Sequence, residues 1–252
     1  MTYCLAATVD QGLVFASDSR TNAGVDQSST FSKMHRFLGD GQRIFVLLSS
    51  GNLATTQAVV TRLNRDIEKD AERSLSTVEH LSEAAEYVGA VSHEEQARHS
   101  GKGEDAFSPD ASFILGGQIG GRPPSIFQIY PEGNFIRASG HTPFLQIGES
   151  KYGKPILDRI IDADMALEDA ARCAIVSMDS TMRSNVTVGP PIEVMIYRAG
   201  TQEPGRHIVL GEDDDYLRTL RMAWQESLKN AFNELPKLPR LPASVRLVDG
   251  QS

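Results

Sequence analysis

Apolar positions along the chain come first in short dense runs and later at helical spacing. Thr2-Tyr3-Cys4-Leu5-Ala6-Ala7-Thr8-Val9 and Leu13-Val14-Phe15-Ala16-Ser17-Asp18 are two such runs, joined by Asp10-Gln11-Gly12. This pattern predicts a β-hairpin. The near absence of polar alternation predicts that both strands are covered on both faces. A polar stretch over 19–30 leads to a short strand over 31–38. A turn at Asp40-Gly41 then leads to a buried strand over 44–48, ending at Ser49-Ser50-Gly51.

Two long helices come next. Val60, Leu63 and Ile67 recur at helical spacing, as do Leu81, Ala84, Ala85 and Val88. Ser76 and Glu79 have the spacing of a capping box for the second helix. Residues 100–109 read as a polar loop. Strand patterns return at 112–115, 125–130, 134–138 and 144–147, followed by helices over 155–161 and 167–178. Strands at 191–197 and 207–210 precede a last helix with Leu217, Leu220, Trp224 and Leu228 on one face. Doubly buried strand blocks alternating with helix pairs predict an α+β sandwich, two sheets face to face with helices outside. Nothing marks a domain boundary, so we expect a single domain over 1–252, its C-terminal helix and Pro-rich tail beginning at about 213.

Composition narrows the function. A net charge of −8 argues against a nucleic-acid partner, because such proteins carry basic surface to neutralise phosphates. Cys4 and Cys173 have neither disulfide-framework nor zinc spacing and read as two buried thiols in a reducing compartment. The N-terminus lacks the pattern of a signal peptide, and no apolar run nears the ~18 residues of a membrane span. The expectation is a cytoplasmic protein without metal, cofactor or membrane partner.

The chemistry centres on Thr2. Its small side chain makes Met1 a good substrate for methionine aminopeptidase, which would leave threonine first. A terminal threonine holds a nucleophile and a base in one residue, its α-amine having an ordinary pKa of about 7.7–8.0. Alone, a Met-Thr start proves nothing. Asp18, however, ends the second hairpin strand and so returns beside Thr2. Lys33, flanked by Phe31 and Met34, would need a carboxylate partner if it pointed inward. Asp18 can supply that partner and place an ammonium near the Thr2 hydroxyl. A solvated strand end for Asp18 and an edge-strand charge for Lys33 are the plain alternatives. Gly51 follows a buried strand and precedes a helix, so its N–H can act as an oxyanion donor or merely serve a turn.

Other motifs carry less. His93 and His99 are six apart and do not share a helix face. Gly116-Gly117-Gln118-Ile119-Gly120-Gly121 lacks the lysine and helix of a phosphate loop and reads as a β-turn. Glu212-Asp213-Asp214-Asp215 lacks calcium-loop spacing and reads as acidic residues at a helix start.

Taken in order, Thr2, Asp18-Ser19-Arg20, Lys33 and Ser50-Gly51 resemble the signature of the proteasome β-subunit family. Gly148-Glu149-Ser150-Lys151-Tyr152-Gly153 and Ser177-Met178-Asp179-Ser180 are similar to its second half, so the likeness spans roughly residues 2 to 198. Within the family the chain looks most like the bacterial Anbu (ancestral β) branch, relatives of HslV. The resemblance implies a four-layer αββα sandwich of the N-terminal-nucleophile hydrolase type and a threonine peptidase. It implies Thr2 as nucleophile, Lys33 lowering the hydroxyl pKa, Asp18 orienting Lys33 and Gly51 as oxyanion donor. Ser150 and Asp179 would position the N-terminus. Met182 stands where the family has a serine, which leaves Ser184 as the candidate replacement. The implied partners are further copies of the chain in a ring or spiral, an unfolded polypeptide or peptide substrate, and an ATP-dependent unfoldase. A catalytically silent ring subunit and a small-molecule amidase remain alternatives.

Overall fold

A computed structural model describes residues 1–22, 28–38, 41–99, 108–201 and 203–239. The expected turn at Asp40, most of the loop over 100–109 and the tail beyond 239 lie outside the described residues. The opening hairpin is β1 (Tyr3–Val9) and β2 (Gly12–Asp18), antiparallel, with Cys4 opposite Ser17. The polar stretch after it contains a two-stranded ribbon, β3 (Arg20–Asn22) and β4 (Ser28–Thr30). Its strands are too short and polar for a hydrophobic pattern to reveal. Then come β5 (Met34–Leu38), β6 (Arg43–Gly51), α1 (Leu53–Glu68) and α2 (Leu81–His99). The middle strands are β7 (Ala111–Ile119), β8 (Ser125–Ile129), β9 (Phe135–Arg137) and β10 (Phe144–Gly148). The chain closes with α3 (Lys154–Ile160), α4 (Leu167–Ser184), β11 (Ile192–Arg198), β12 (Arg206–Leu210) and α5 (Asp215–Glu234).

The strands form two five-stranded sheets, β10-β1-β2-β11-β12 and β5-β6-β7-β8-β9. Strand alternation sorts their side chains into three apolar layers. Cys4, Leu13, Phe15, Val46 and Ile114 meet between the sheets. Tyr3, Leu5, Val14 and Val194 face outward onto α3 and α4, while Phe45, Leu47, Phe113 and Leu115 face α1 and α2. Each sheet is thus covered on both faces, in the order helix, sheet, sheet, helix. Cys4 and Cys173 are buried free thiols. Among the described residues, no helix is long and apolar enough to cross a membrane.

Further details differ from the sequence reading. Gly116 and Gly117 belong to strand β7, not to a turn, and the turn starts at Gly120. Gly116 is needed because the layers touch there: a β-carbon on it would lie 2.6 Å from the Phe15 ring. The capping box on Ser76 and Glu79 is not formed. Glu83 instead reaches back to accept from the N–H groups of Glu79 (2.8 Å) and His80 (3.2 Å), satisfying donors at the helix start. Finally, the apolar face of α5 is covered only near its start, where Leu217 is buried, while Leu228 is exposed. Its acidic start behaves as read, with the Asp214 side chain accepting from Tyr216 and Leu217 N–H.

Gly116→Ala is expected to lower stability by about 1–3 kcal/mol, because the methyl must displace a fully buried ring. Urea unfolding measures it, and an unchanged midpoint would show that the two sheets can part to admit a methyl group.

Candidate active site

The hairpin register brings Asp18 to the chain start. The Tyr3 N–H donates to Asp18 Oδ1 at 3.0 Å. On the other side, β10 pairs Tyr3 with Gly148, and the Glu149 N–H donates to the Thr2 carbonyl at 2.7 Å. Gly148 must be glycine: its φ is +80°, and a β-carbon would lie 2.0 Å from the Thr2 carbonyl oxygen. Below, the buried Tyr3 hydroxyl shares a hydrogen bond with Ser177 Oγ of α4 at 2.7 Å. Thr2 is therefore held from both neighbouring strands, and the residue beside it is pinned to a helix.

Lys33 lies just before β5 rather than within it. Its backbone is anchored at both ends, by Phe31 N–H to the Ser19 carbonyl (2.9 Å) and Ser49 N–H to its own carbonyl (3.0 Å). Its ammonium donates to Asp18 Oδ1 and to the Arg20 carbonyl, both at 2.7 Å. Asp18 is fully buried and Lys33 is 6% exposed. The Gly189 N–H donates to the second carboxylate oxygen at 3.3 Å. Burial pushes the Asp18 carboxyl above its ordinary range, while the Lys33 ammonium and the Tyr3 and Gly189 N–H groups pull against it.

Above this pair is a cavity of about 490 Å³, lined by Thr2, Lys33, Gly51, Gly148 and Glu149 among others. Gly51 ends β6 with φ +111°, and a β-carbon there would lie 2.2 Å from the Asp110 carbonyl oxygen. Only glycine allows this turn into α1, whose N-cap is Asn52, accepting from Thr55 N–H at 3.2 Å. His35 also lines the cavity, 3.4 Å from Ser49 Oγ, and burial holds its imidazole below the ordinary range. Among the described residues, no three His, Cys, Asp or Glu side chains are grouped to hold a metal ion.

The structure thus brings Thr2, Asp18, Lys33 and Gly51 together. It does not bring the other three candidates to the cavity wall. Ser150 sits in the turn before α3, where its N–H donates to the Gly148 carbonyl at 2.9 Å. Asp179, on α4, accepts from Arg221 Nε of α5 at 2.6 Å. Asp179 and Ser184 line a second cavity of about 580 Å³, which shares Arg20 with the first. Sequence reasoning missed the Arg20 carbonyl and the Gly189 N–H, because backbone groups leave no mark on residue type. It also missed Glu149 and Asn185, whose side chains meet at 2.7 Å beside the chain start. Glu149 adjoins the candidate Ser150, whereas Asn185 lies just past α4 in an irregular segment without periodicity.

Comparisons with known proteins show what the whole chain is similar to. The family model described as proteasome subunit matches residues 2–197. Among solved structures, the chain is similar to Anbu, the ancestral β-subunit, from Yersinia bercovieri, at 46% identity and TM-score 0.89 over 96% of this chain and 100% of that one. It is similar to the Anbu complex from Pseudomonas aeruginosa, described as a helical assembly, at 45% identity and TM-score 0.90 over 95% and 99%. Anbu from Hyphomicrobium sp. strain MC1 matches at 44% identity and TM-score 0.87 over 94% and 100%. Among curated proteins, none matches.

Lys33→Met leaves Asp18 buried without its cation, and we expect a loss of about 3–5 kcal/mol at pH 7. The folded-state value of Asp18 is raised, so its contribution is intact below the unfolded value of about 3.9 and is lost as pH rises through the folded value. Without Lys33 that value rises further. The deficit against the native chain should therefore shrink as pH falls toward 4. Urea titrations at several pH values check this, and a pH-independent deficit would exclude Asp18 as the stranded charge.

Proposed function

Since this chain belongs to the proteasome subunit family, on its Anbu side, and has the family's N-terminal-nucleophile hydrolase fold, we propose that it is a threonine peptidase acting through Thr2 after Met1 is removed. The observation that carries this reading is the Lys33 ammonium, which lines the same cavity as Thr2 while clamped by buried Asp18 and the Arg20 carbonyl. A purely structural ion pair would not need to present its cation to a cavity.

In the proposed reaction, the Thr2 hydroxyl attacks the scissile carbonyl and its proton passes to the Thr2 α-amine, directly or through one water. Lys33 stabilises the developing alkoxide, and the Gly51 N–H takes the negative charge on the carbonyl oxygen. The tetrahedral intermediate collapses as the amine returns its proton to the leaving nitrogen. This releases one product and leaves an ester on Thr2. Water, deprotonated by the same amine, then attacks that ester, releasing the acid and restoring the hydroxyl. Asp18 does not transfer a proton; it holds Lys33.

The substrate would be an unfolded polypeptide or peptide. We read residues 1–252 as a single domain, working in the cytoplasm as a homo-oligomer, as the helical assembly of the Pseudomonas relative suggests, with an ATP-dependent unfoldase as feeder. The engagement of Asp179 with Arg221 favours one rival, a catalytically silent subunit.

Intact mass after treatment with an epoxyketone or β-lactone separates the two. One adduct is expected on the Met-less chain and none on Thr2→Ala, whose casein hydrolysis should fall about 10³-fold or more. Equal labelling of both chains would remove Thr2 from the mechanism. No adduct on either Met-less chain would favour the silent subunit.

A further inference from the structure

The reaction above assigns nothing to the Glu149 side chain, although it stands at the chain start. Glu149 follows β10 and is 9% exposed. Its N–H bond to the Thr2 carbonyl at 2.7 Å fixes its backbone against the residue proposed as nucleophile. One carboxylate oxygen accepts from Asn185 Nδ2 at 2.7 Å. The other lies 3.4 Å from Lys151 Nζ, on a side chain 67% exposed to water. A carboxylate this buried needs a close cation, and a solvated lysine serves that need poorly. Asn185 Nδ2 also lies 4.0 Å from Met1 Sδ, so the Glu149–Asn185 pair sits at the Met1–Thr2 junction. Met1, Thr2 and Glu149 line one cavity.

We propose that Glu149, oriented by Asn185, is the positioning residue for the Thr2 α-amine, forming an ion pair with it once Met1 has left. This rests on the reading of Thr2 as the mature first residue. Removing Met1 turns a neutral amide into an ammonium at the place where Glu149 lacks a buried cation. The pair restrains the amine beside its own hydroxyl. It also keeps the amine protonated to higher pH, because an opposite charge within about 4–6 Å favours the charged form. The hydroxyls of Ser150 and Ser184, expected in this role from family resemblance, would hold the amine without changing its charge balance.

Other charged groups line the same cavity or lie next to it. Lys33 is offset by Asp18, the Lys151 side chain is 67% exposed to water, and the Arg20 guanidinium donates to the Val186 carbonyl at 2.7 Å. Burial keeps His35 below its ordinary value, so it adds little charge at neutral pH. Asp179 is taken by Arg221. Glu149 is then the carboxylate whose loss the amine should feel most.

The test uses the full chain with Thr2 made first by cleaving a fusion directly before it. The rate of α-amine acylation is followed against pH by mass spectrometry of the N-terminal peptide. Relative to the native residue, Glu149→Gln should move the labelling midpoint down by about one pH unit. Glu149→Asp keeps the charge but withdraws it, so it should fall between. If Glu149→Gln does not fold, the aspartate variant alone still decides. Midpoints that coincide across the folded variants overturn the proposal, since a merely structural side chain would leave the amine untouched. The acid limb of kcat/KM should shift in the same direction. Labelling needs no turnover, so an inactive chain would sink the peptidase reading while the midpoints still judge Glu149.

Discussion

Asp18 and Lys33 form an ion pair in which the carboxylate has left water entirely and the ammonium nearly so, and much of the surrounding structure follows from satisfying it. Removing two such ions from solvent costs several kcal/mol each, and attraction offsets this only when the remaining hydrogen-bond capacity is filled. Here it is filled from four segments: the Tyr3 N–H of β1, the Arg20 carbonyl of β3, the Lys33 segment before β5 and the Gly189 N–H before β11. Each must arrive in register for the pair to be tolerated. The same requirement holds the chain start, both edges of the cavity and the exit from α4 in one arrangement. Placing this demand beside Thr2 makes positional accuracy at the site a condition of folding, not a late refinement.

Close approach of the layers is the second constraint. Gly116 lets the Phe15 ring of one sheet seat against the other, and Gly148 lets the strap after β10 touch the Thr2 carbonyl. Gly51 lets β6 turn sharply into α1. In each case a single β-carbon would collide, so the glycines mark where backbone itself forms the wall. This is why the cavity is built partly from N–H and carbonyl groups, the donors and acceptors that acyl transfer uses.

The hydrophobic pattern made the architecture legible, because doubly buried strands and amphipathic helices leave distinct periods. The ribbon β3–β4 was not legible, being short and polar, nor was the cap of α2, where the capping carboxylate, Glu83, lies four residues beyond the expected one. The meeting of Thr2, Asp18, Lys33 and Gly51 around one place could be expected, because a hairpin and a strand end bring them together by simple geometry. Asp179 and Ser184 rested on family resemblance instead of geometry. Position along a helix did not reveal that Arg221, some forty residues later, takes the carboxylate.

The sequence by itself determined most of the strands and helices and the faces that the two sheets bury, and it set a threonine, an aspartate and a lysine at a spacing that a hairpin can gather. These properties are local, since periodicity and turn chemistry act over a few residues. Tertiary structure alone decided what fills the space around them: backbone groups of Arg20 and Gly189 on the ion pair, Glu149 with Asn185 at the Met1–Thr2 junction, and Arg221 on Asp179. Those partners come from distant segments, and their meeting depends on how layers of fixed thickness stack. No short-range pattern encodes it.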